Sequence, residues 1–176
     1  MIIHQTPIPG LATIHLEKKG DERGWFARTF CVDELQKSDI SFQIQQANRS
    51  FTQKKGALRG MHFQADPHGE GKIVSCIQGA IYDVAIDLRK DSDTYAQWFG
   101  IELTSEEGTL FYIPPGFAHG FQTLTENCVV EYFMSAPYVA DAATGVRWND
   151  PAFNITWPIN NPTEINEKDM NWPLLK

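Results

Sequence analysis

Cysteine, basic charge and long apolar runs are all scarce in this 176-residue chain, and each shortage removes a class of function. The three cysteines, Cys31, Cys76 and Cys128, make neither a Cys-x-x-Cys pair nor an even set, which argues against a disulfide framework. Cys76 and Cys128 stand in apolar runs, where a free thiol behaves as a small buried hydrophobe. Fifteen basic against 22 acidic side chains leave a formal charge of −7 with no cluster of Lys or Arg, so a nucleic-acid backbone finds no electrostatic footprint. The apolar stretches are far shorter than the roughly 20 residues a bilayer crossing needs. The opening MIIHQTPIPG lacks a basic region followed by an apolar one, so the expectation is a cytoplasmic protein with neither nucleic-acid nor membrane partners. Helical periodicity is weak too, confined to Val32–Lys37 and Glu164–Asn171, too short to connect parallel strands.

What the chain does have is strand. In Ala80–Leu88 (AIYDVAIDL) the even positions are apolar while Asp83 and Asp87 occupy the other face, the pattern of a half-buried strand. Similar runs occur at Ala12–Glu17, Trp25–Phe30, Phe42–Gln46, Ile73–Ile77, Phe99–Leu103, Thr109–Ile113, Phe121–Leu124 and Val129–Met134, separated by Gly, Pro, Asp, Asn and Ser clusters. Such spacing predicts an all-β sandwich or barrel with short peripheral helices. The length, against roughly 150 residues per domain, predicts one domain over residues 1–176, with the tail from Asn160 laid over the barrel.

Two segments carry chemistry. Gly56–Gln64 (GALRGMHFQ) sets His62 in a strand beside Arg59 and two glycines. Gly108–Phe121 has the spacing G-x5-P-x-G-x2-H, ending on His119, and resembles the second motif of the cupin superfamily of jelly-roll barrels. A metal-binding cupin would need His-x-His in its first motif, because several N or O ligands must converge on one ion. Here the second position is Gln64, and the nearby His68 and Glu70 sit in a Pro-Gly loop, so no metal is expected and His68 reads as a solvated loop residue.

Eight segments in order extend the resemblance across nearly the whole chain: DERGWF (21–26), QAN (46–48), LRGMHFQ (58–64), GKIV (71–74), DVAIDLR (83–89), PGFAHGF (115–121), WNDP (148–151) and ITWP (155–158). On these the chain resembles the dTDP-4-dehydrorhamnose 3,5-epimerase (RmlC-like) family of nucleotide-sugar epimerases. The resemblance implies a cupin-type double-stranded β-helix, a homodimer that exchanges strands, no cofactor, and a nucleotide-diphosphate sugar as substrate.

Inverting a carbon beside a ketone requires a base, a cation for the enolate oxygen, and an acid on the opposite face. An imidazole suits the first task at neutral pH, and the resemblance gives it to His62. It pairs His62 with Asp169, whose alternative reading is the cap of a short C-terminal turn. Lys72, alone a solvent-facing strand residue, is implied as the enolate's cation. Tyr132, alone a core tyrosine, is implied as the second acid. Arg23 and Arg59 are implied for the diphosphate, Phe26 for stacking on the base, Gln46 and Asn48 for hydrogen bonds, and His119 and Tyr138 for the sugar pocket. Arg59 and His62 are three apart and should face opposite ways in a regular strand, so a bulge at Gly60 must reconcile them.

Arg28, Ala47 and Phe133 replace the residues usual at their positions, which are expected around the pocket, so the substrate stays open where the reaction does not. dTDP-4-dehydro-6-deoxyglucose epimerised at C3 and C5 leads. A CDP- or GDP-linked 4-keto sugar, inversion at C3 alone, a 3,4-ketoisomerase and a non-catalytic sugar-binding cupin are the alternatives.

Overall fold

The structure is a computed structural model and describes residues 1–175. In chain order the strands are β1 (Ile2–Gln5), β2 (Ala12–His15), β3 (Lys19–Asp21), β4 (Gly24–Phe26) and, after helix α1 (Val32–Gln36), β5 (Gln46–Thr52) and β6 (Leu58–Gln64). They continue as β7 (Lys72–Gln78), β8 (Ala80–Asp87), β9 (Trp98–Thr104), β10 (Leu110–Ile113), β11 (Phe117–Thr123), β12 (Cys128–Met134) and β13 (Ala143–Gly145), followed by helix α2 (Glu167–Met170). Two antiparallel sheets form the barrel, one ordered β1-β2-β10-β7-β12-β5 and the other β13-β6-β11-β8-β9. The hairpin β3–β4 stands apart as a two-stranded sheet. This is the all-β barrel expected from the strand pattern, of the cupin type that the resemblance implies. No helix among the described residues is long and apolar enough to cross a membrane.

Three apolar clusters hold the layers together. Between the sheets lie Leu11, Val74, Ile81, Leu103, Phe111, Phe121 and Val130, with the thiols of Cys76 and Cys128 buried among them. Burial pushes the Cys76 thiol up to about 12, so it is a packing group rather than a nucleophile. On the outer face of the six-stranded sheet, Leu35, Ile40 and Phe42 from α1 and the following loop cover Ile14, Ile73 and Leu110. On the outer face of the five-stranded sheet, Val146, Phe153 and Trp157 cover Leu58, Val84 and Ile86.

That second covering changes the reading of β8. Its even positions do pack apolar surface, but against the C-terminal wrap, while the odd positions Ile81 and Ala85 belong to the barrel interior. Asp83 and Asp87 share the odd face and are fully buried, so the strand is covered on both sides rather than half-exposed. Asp87 is satisfied by Arg89 (Nε 2.9 Å, Nη2 2.7 Å), Ser92 and Thr94 in the turn after the strand.

Two other expectations move. Phe42–Gln46 is not a strand: Phe42 plugs the outer cluster edge-on to Phe30 and Tyr112, and pairing starts at Gln46. Trp25–Phe30 pairs only as far as Phe26, because β4 has no neighbour but β3. The tail lies over the barrel as expected, Leu58 N donating to Glu164 O at 2.9 Å and Trp172 packing against β13 at Gly145.

Candidate active site

Six strands (β5, β6, β7, β11, β12 and β13), helix α2 and the loops beside them converge on a cavity of about 340 Å³ at the barrel mouth, lined by Arg59, His62, Lys72, His119, Tyr132, Tyr138 and Asp169 among others. The local device that makes this possible is in β6. Opposite β11, His62 pairs with His119 and Arg59 with Phe121, three steps against two, so β6 carries one extra residue. The bulge turns Arg59 and His62 to the same side, as the spacing required. Gly60 takes φ +126° there, and a Cβ on it would lie 2.5 Å from Gly120 Cα.

His62 Nε2 is 2.6 Å from Asp169 Oδ1, across 107 residues of sequence. Asp169 is delivered by α2, whose N-cap Asn166 accepts from its backbone N–H at 2.7 Å. The carboxylate also accepts from Gly60 N–H (2.9 Å) and Trp172 Nε1–H (3.3 Å). Burial pushes the Asp169 carboxyl upward, but the hydrogen bonds and the His62 charge outweigh it and hold the group below the usual carboxylate range. An ionised Asp169 accepting from Nε2–H leaves the Nδ1 lone pair of His62 free.

Lys72 begins β7 and is buried; its Nζ donates to Glu70 Oε1 (2.9 Å) and to His62 O (3.2 Å). Tyr132 faces the same cavity from β12. Burial pushes its phenol up, the Arg59 charge opposing, so it stays protonated through the neutral range. Arg59 Nε donates to Thr52 Oγ1 (2.9 Å) and Nη2 to Phe51 O (3.2 Å). His119 is buried with Nε2 2.6 Å from Asp83 Oδ1, while Asp83 Oδ2 has no partner.

Gln46 and Asn48 are not in the cavity wall but at its edge: Gln46 Oε1 accepts from Tyr138 N–H (2.6 Å) and Asn48 Nδ2 lies 3.3 Å from Met134 Sδ. Arg23 and Phe26 are not in it either. They sit on the exposed hairpin, where Phe26 keeps 70% of its surface and Trp25 57%. Arg28, Ala47 and Phe133 do not line the cavity, contrary to expectation. Strand alternation turns Phe133 away from Tyr132 onto Phe30, Ala47 points out beside it, and Arg28 pairs with Glu34.

Glu70, Asp83 and Trp172 are partners that the sequence did not reveal. Glu70 shares the Pro-Gly loop with His68, yet two residues before Lys72 it is buried, whereas His68 is exposed as expected. Gln64 uses its amide to tie loops, donating to His68 O (2.9 Å) and Pro137 O (3.2 Å) and accepting from Val139 N–H (2.6 Å). No group of three or more His, Cys, Asp or Glu side chains is placed to hold a metal ion among the described residues.

The dTDP-4-dehydrorhamnose 3,5-epimerase family model matches residues 5–176. The chain is 39% identical to the dTDP-4-dehydrorhamnose 3,5-epimerase of Sinorhizobium fredii over 99% of its own length and 90% of that protein. It superposes on the Bacillus anthracis dTDP-4-dehydrorhamnose 3,5-epimerase with TDP and PPi bound at a TM-score of 0.95, with 37% identity and 99% of each chain covered. On the Legionella pneumophila dTDP-6-deoxy-D-glucose-3,5-epimerase in complex with dTDP-4-keto-L-rhamnose, the TM-score is 0.92 with 35% identity, covering 98% of this chain and 92% of that one.

Proposed function

The chain belongs to the dTDP-4-dehydrorhamnose 3,5-epimerase family and is an epimerase of a nucleotide-linked 4-keto-6-deoxyhexose, and we propose that His62, Asp169, Lys72 and Tyr132 carry its chemistry. The observation that carries this reading is the 2.6 Å His62–Asp169 pair opening on one cavity with Lys72 and Tyr132. Nδ1 of His62 removes the proton beside the ketone, and the imidazolium that forms is stabilised by the Asp169 carboxylate. The electron pair moves onto the C4 oxygen, where the remaining N–H of Lys72 meets the enolate. Tyr132 returns a proton from the opposite face as the electron pair comes back from the oxygen to the carbon, and proton exchange with solvent restores the neutral imidazole and the phenol. A second round at the other carbon beside the ketone inverts C5 as the first inverts C3.

The substrate is dTDP-4-dehydro-6-deoxyglucose. Arg59 binds its diphosphate, with His119 and Tyr138 on the sugar and with Gln46 and Asn48 steadying the mouth. Arg23 and Phe26 are too exposed on β3–β4 to serve their own cavity and complete the site of a second copy, in a homodimer.

Incubation in heavy water with dTDP- and CDP-4-keto-6-deoxyglucose in parallel tests this, read by NMR and mass spectrometry. Deuterium at both C3 and C5 of the dTDP sugar is expected. Label at C3 alone would make the enzyme a mono-epimerase, faster exchange on the CDP sugar would change the nucleotide, and no label on either would remove the reading.

A further inference from the structure

Lys72 and Arg59 are both cations of this cavity, yet they are held in opposite ways. Arg59 is anchored by neutral acceptors, Thr52 Oγ1 and Phe51 O, and keeps its charge. Lys72 is anchored by a carboxylate, Glu70, and the pair is almost dry, with 8% and 4% of the two side chains exposed. Both oxygens of Glu70 are used: Oε1 accepts from Lys72 Nζ, and Oε2 accepts from the Gln64 backbone N–H at 3.0 Å. The loop that carries Glu70 is itself tied to β6 where the Gln64 side chain donates to His68 O. Lys72 also donates to His62 O, so one of its three N–H groups is fixed on Glu70 and a second on the strand that carries the base, and one remains.

We propose that Glu70 is the residue that sets the register of the ligand, by aiming the third N–H of Lys72 at the sugar ketone and cancelling the lysine charge so that the diphosphate goes to Arg59. This rests on the epimerase reading above. A buried unpaired ammonium would be the strongest phosphate site in the cavity and would draw the diphosphate to the sugar's place. Paired with Glu70 it is a neutral dipole, of use to an oxyanion that develops on a ketone and of little use to a diphosphate. The cavity is thereby divided into an end at Lys72 and His62 that holds no unpaired cation and a cationic end at Arg59, with Lys168 at the rim above the Trp172 ring.

The test is Glu70→Gln and Glu70→Asp in the full chain, with inorganic pyrophosphate as the calorimetric probe and deuterium wash-in from heavy water into the dTDP sugar as the activity. Glu70→Gln should bind pyrophosphate about fivefold or more tightly, because the lysine charge is uncovered, and should lose about tenfold or more in kcat. Glu70→Asp keeps the charge and shortens the reach, so it should lose kcat while leaving pyrophosphate affinity within about twofold of the unsubstituted chain. A merely structural Glu70 would lower the melting temperature in both variants and leave pyrophosphate affinity alone. Unchanged pyrophosphate affinity in Glu70→Gln overturns the proposal, as does equal tightening in Glu70→Asp. Absence of wash-in by the unsubstituted chain would instead remove the epimerase reading, and the pyrophosphate comparison would still report on the charge.

Discussion

Three polar side chains at the site each answer to a carboxylate that fixes them. Asp169 holds His62 in one tautomer, Glu70 holds Lys72, and Asp83 holds His119. Replacing Asp169 by Asn leaves the shape but removes the charge that supports the imidazolium, and turns an NH2 donor toward either Nε2 of His62 or the Gly60 N–H where a carboxylate oxygen accepted. The expected outcome is a loss in kcat of about a thousandfold, with dTDP affinity nearly unchanged because the proposed diphosphate site is at Arg59 and not at the dyad. The pH dependence has a definite sign. Asp169 is held below the usual carboxylate range in the folded chain, so its stabilising contribution is present above about pH 4 and is lost as pH falls through the lower folded value. Urea unfolding across pH should therefore show the gap between the unsubstituted chain and Asp169→Asn narrowing below about pH 4; a constant gap would mean the carboxylate is not held down. The residue types of the dyad were legible from the sequence only through the family resemblance, since no local spacing joins positions 62 and 169.

At the scale of the element, β6 and β5 do the positioning. The extra residue in β6 puts Arg59 and His62 on one wall, and it depends on two glycines in van der Waals contact: a Cβ on Gly60 would sit 2.5 Å from Gly120 Cα, and one on Gly120 would sit 2.7 Å from Arg59 O. Gly60→Ala must also adopt φ +126°, so a stability loss of about 2–4 kcal/mol is expected, together with loss of turnover. Thermal unfolding checks it, and a melting temperature within about 2 °C of the unsubstituted chain would contradict the bulge. The need for this bulge could be read from the sequence, because a period of two forbids residues 59 and 62 from sharing a face. The strand β5 could not. Its inward positions Gln46, Asn48, Ser50 and Thr52 are polar because they face the cavity side, so the apolar alternation that marks a strand is missing where the function is. The same cause sent the expected strand to Phe42–Gln46, where the apolar residues were.

At the scale of the whole molecule, a hairpin that exposes Trp25, Phe26 and Arg23 together is poorly explained by one copy of the chain. If it completes the cavity of a second copy, Arg23→Ala and His62→Ala should be nearly inactive apart and should regain activity when co-refolded. One site of the mixed dimer then carries both defects and the other carries none. With random pairing, about a quarter of the unsubstituted activity is expected, since half the dimers are mixed and each has one intact site. Failure to regain any would place Arg23 in its own cavity or outside the reaction. The amino-acid sequence by itself determined what is repeated or local: strands of period two, turns at glycine and proline, weak helices at two places, an all-β barrel, and the ordered segments that mark the family. Only the tertiary structure decided which side of each strand is the interior. Alternation is symmetric between faces, and β8 carries its aspartates inward because the C-terminal wrap covers the apolar side that would otherwise have been the core. It likewise decided the partners of the site, because hydrogen bonds such as those of Asp169 to His62 and of Asp83 to His119 form between residues that are distant in the chain and meet only when the two sheets and the tail are closed around one cavity.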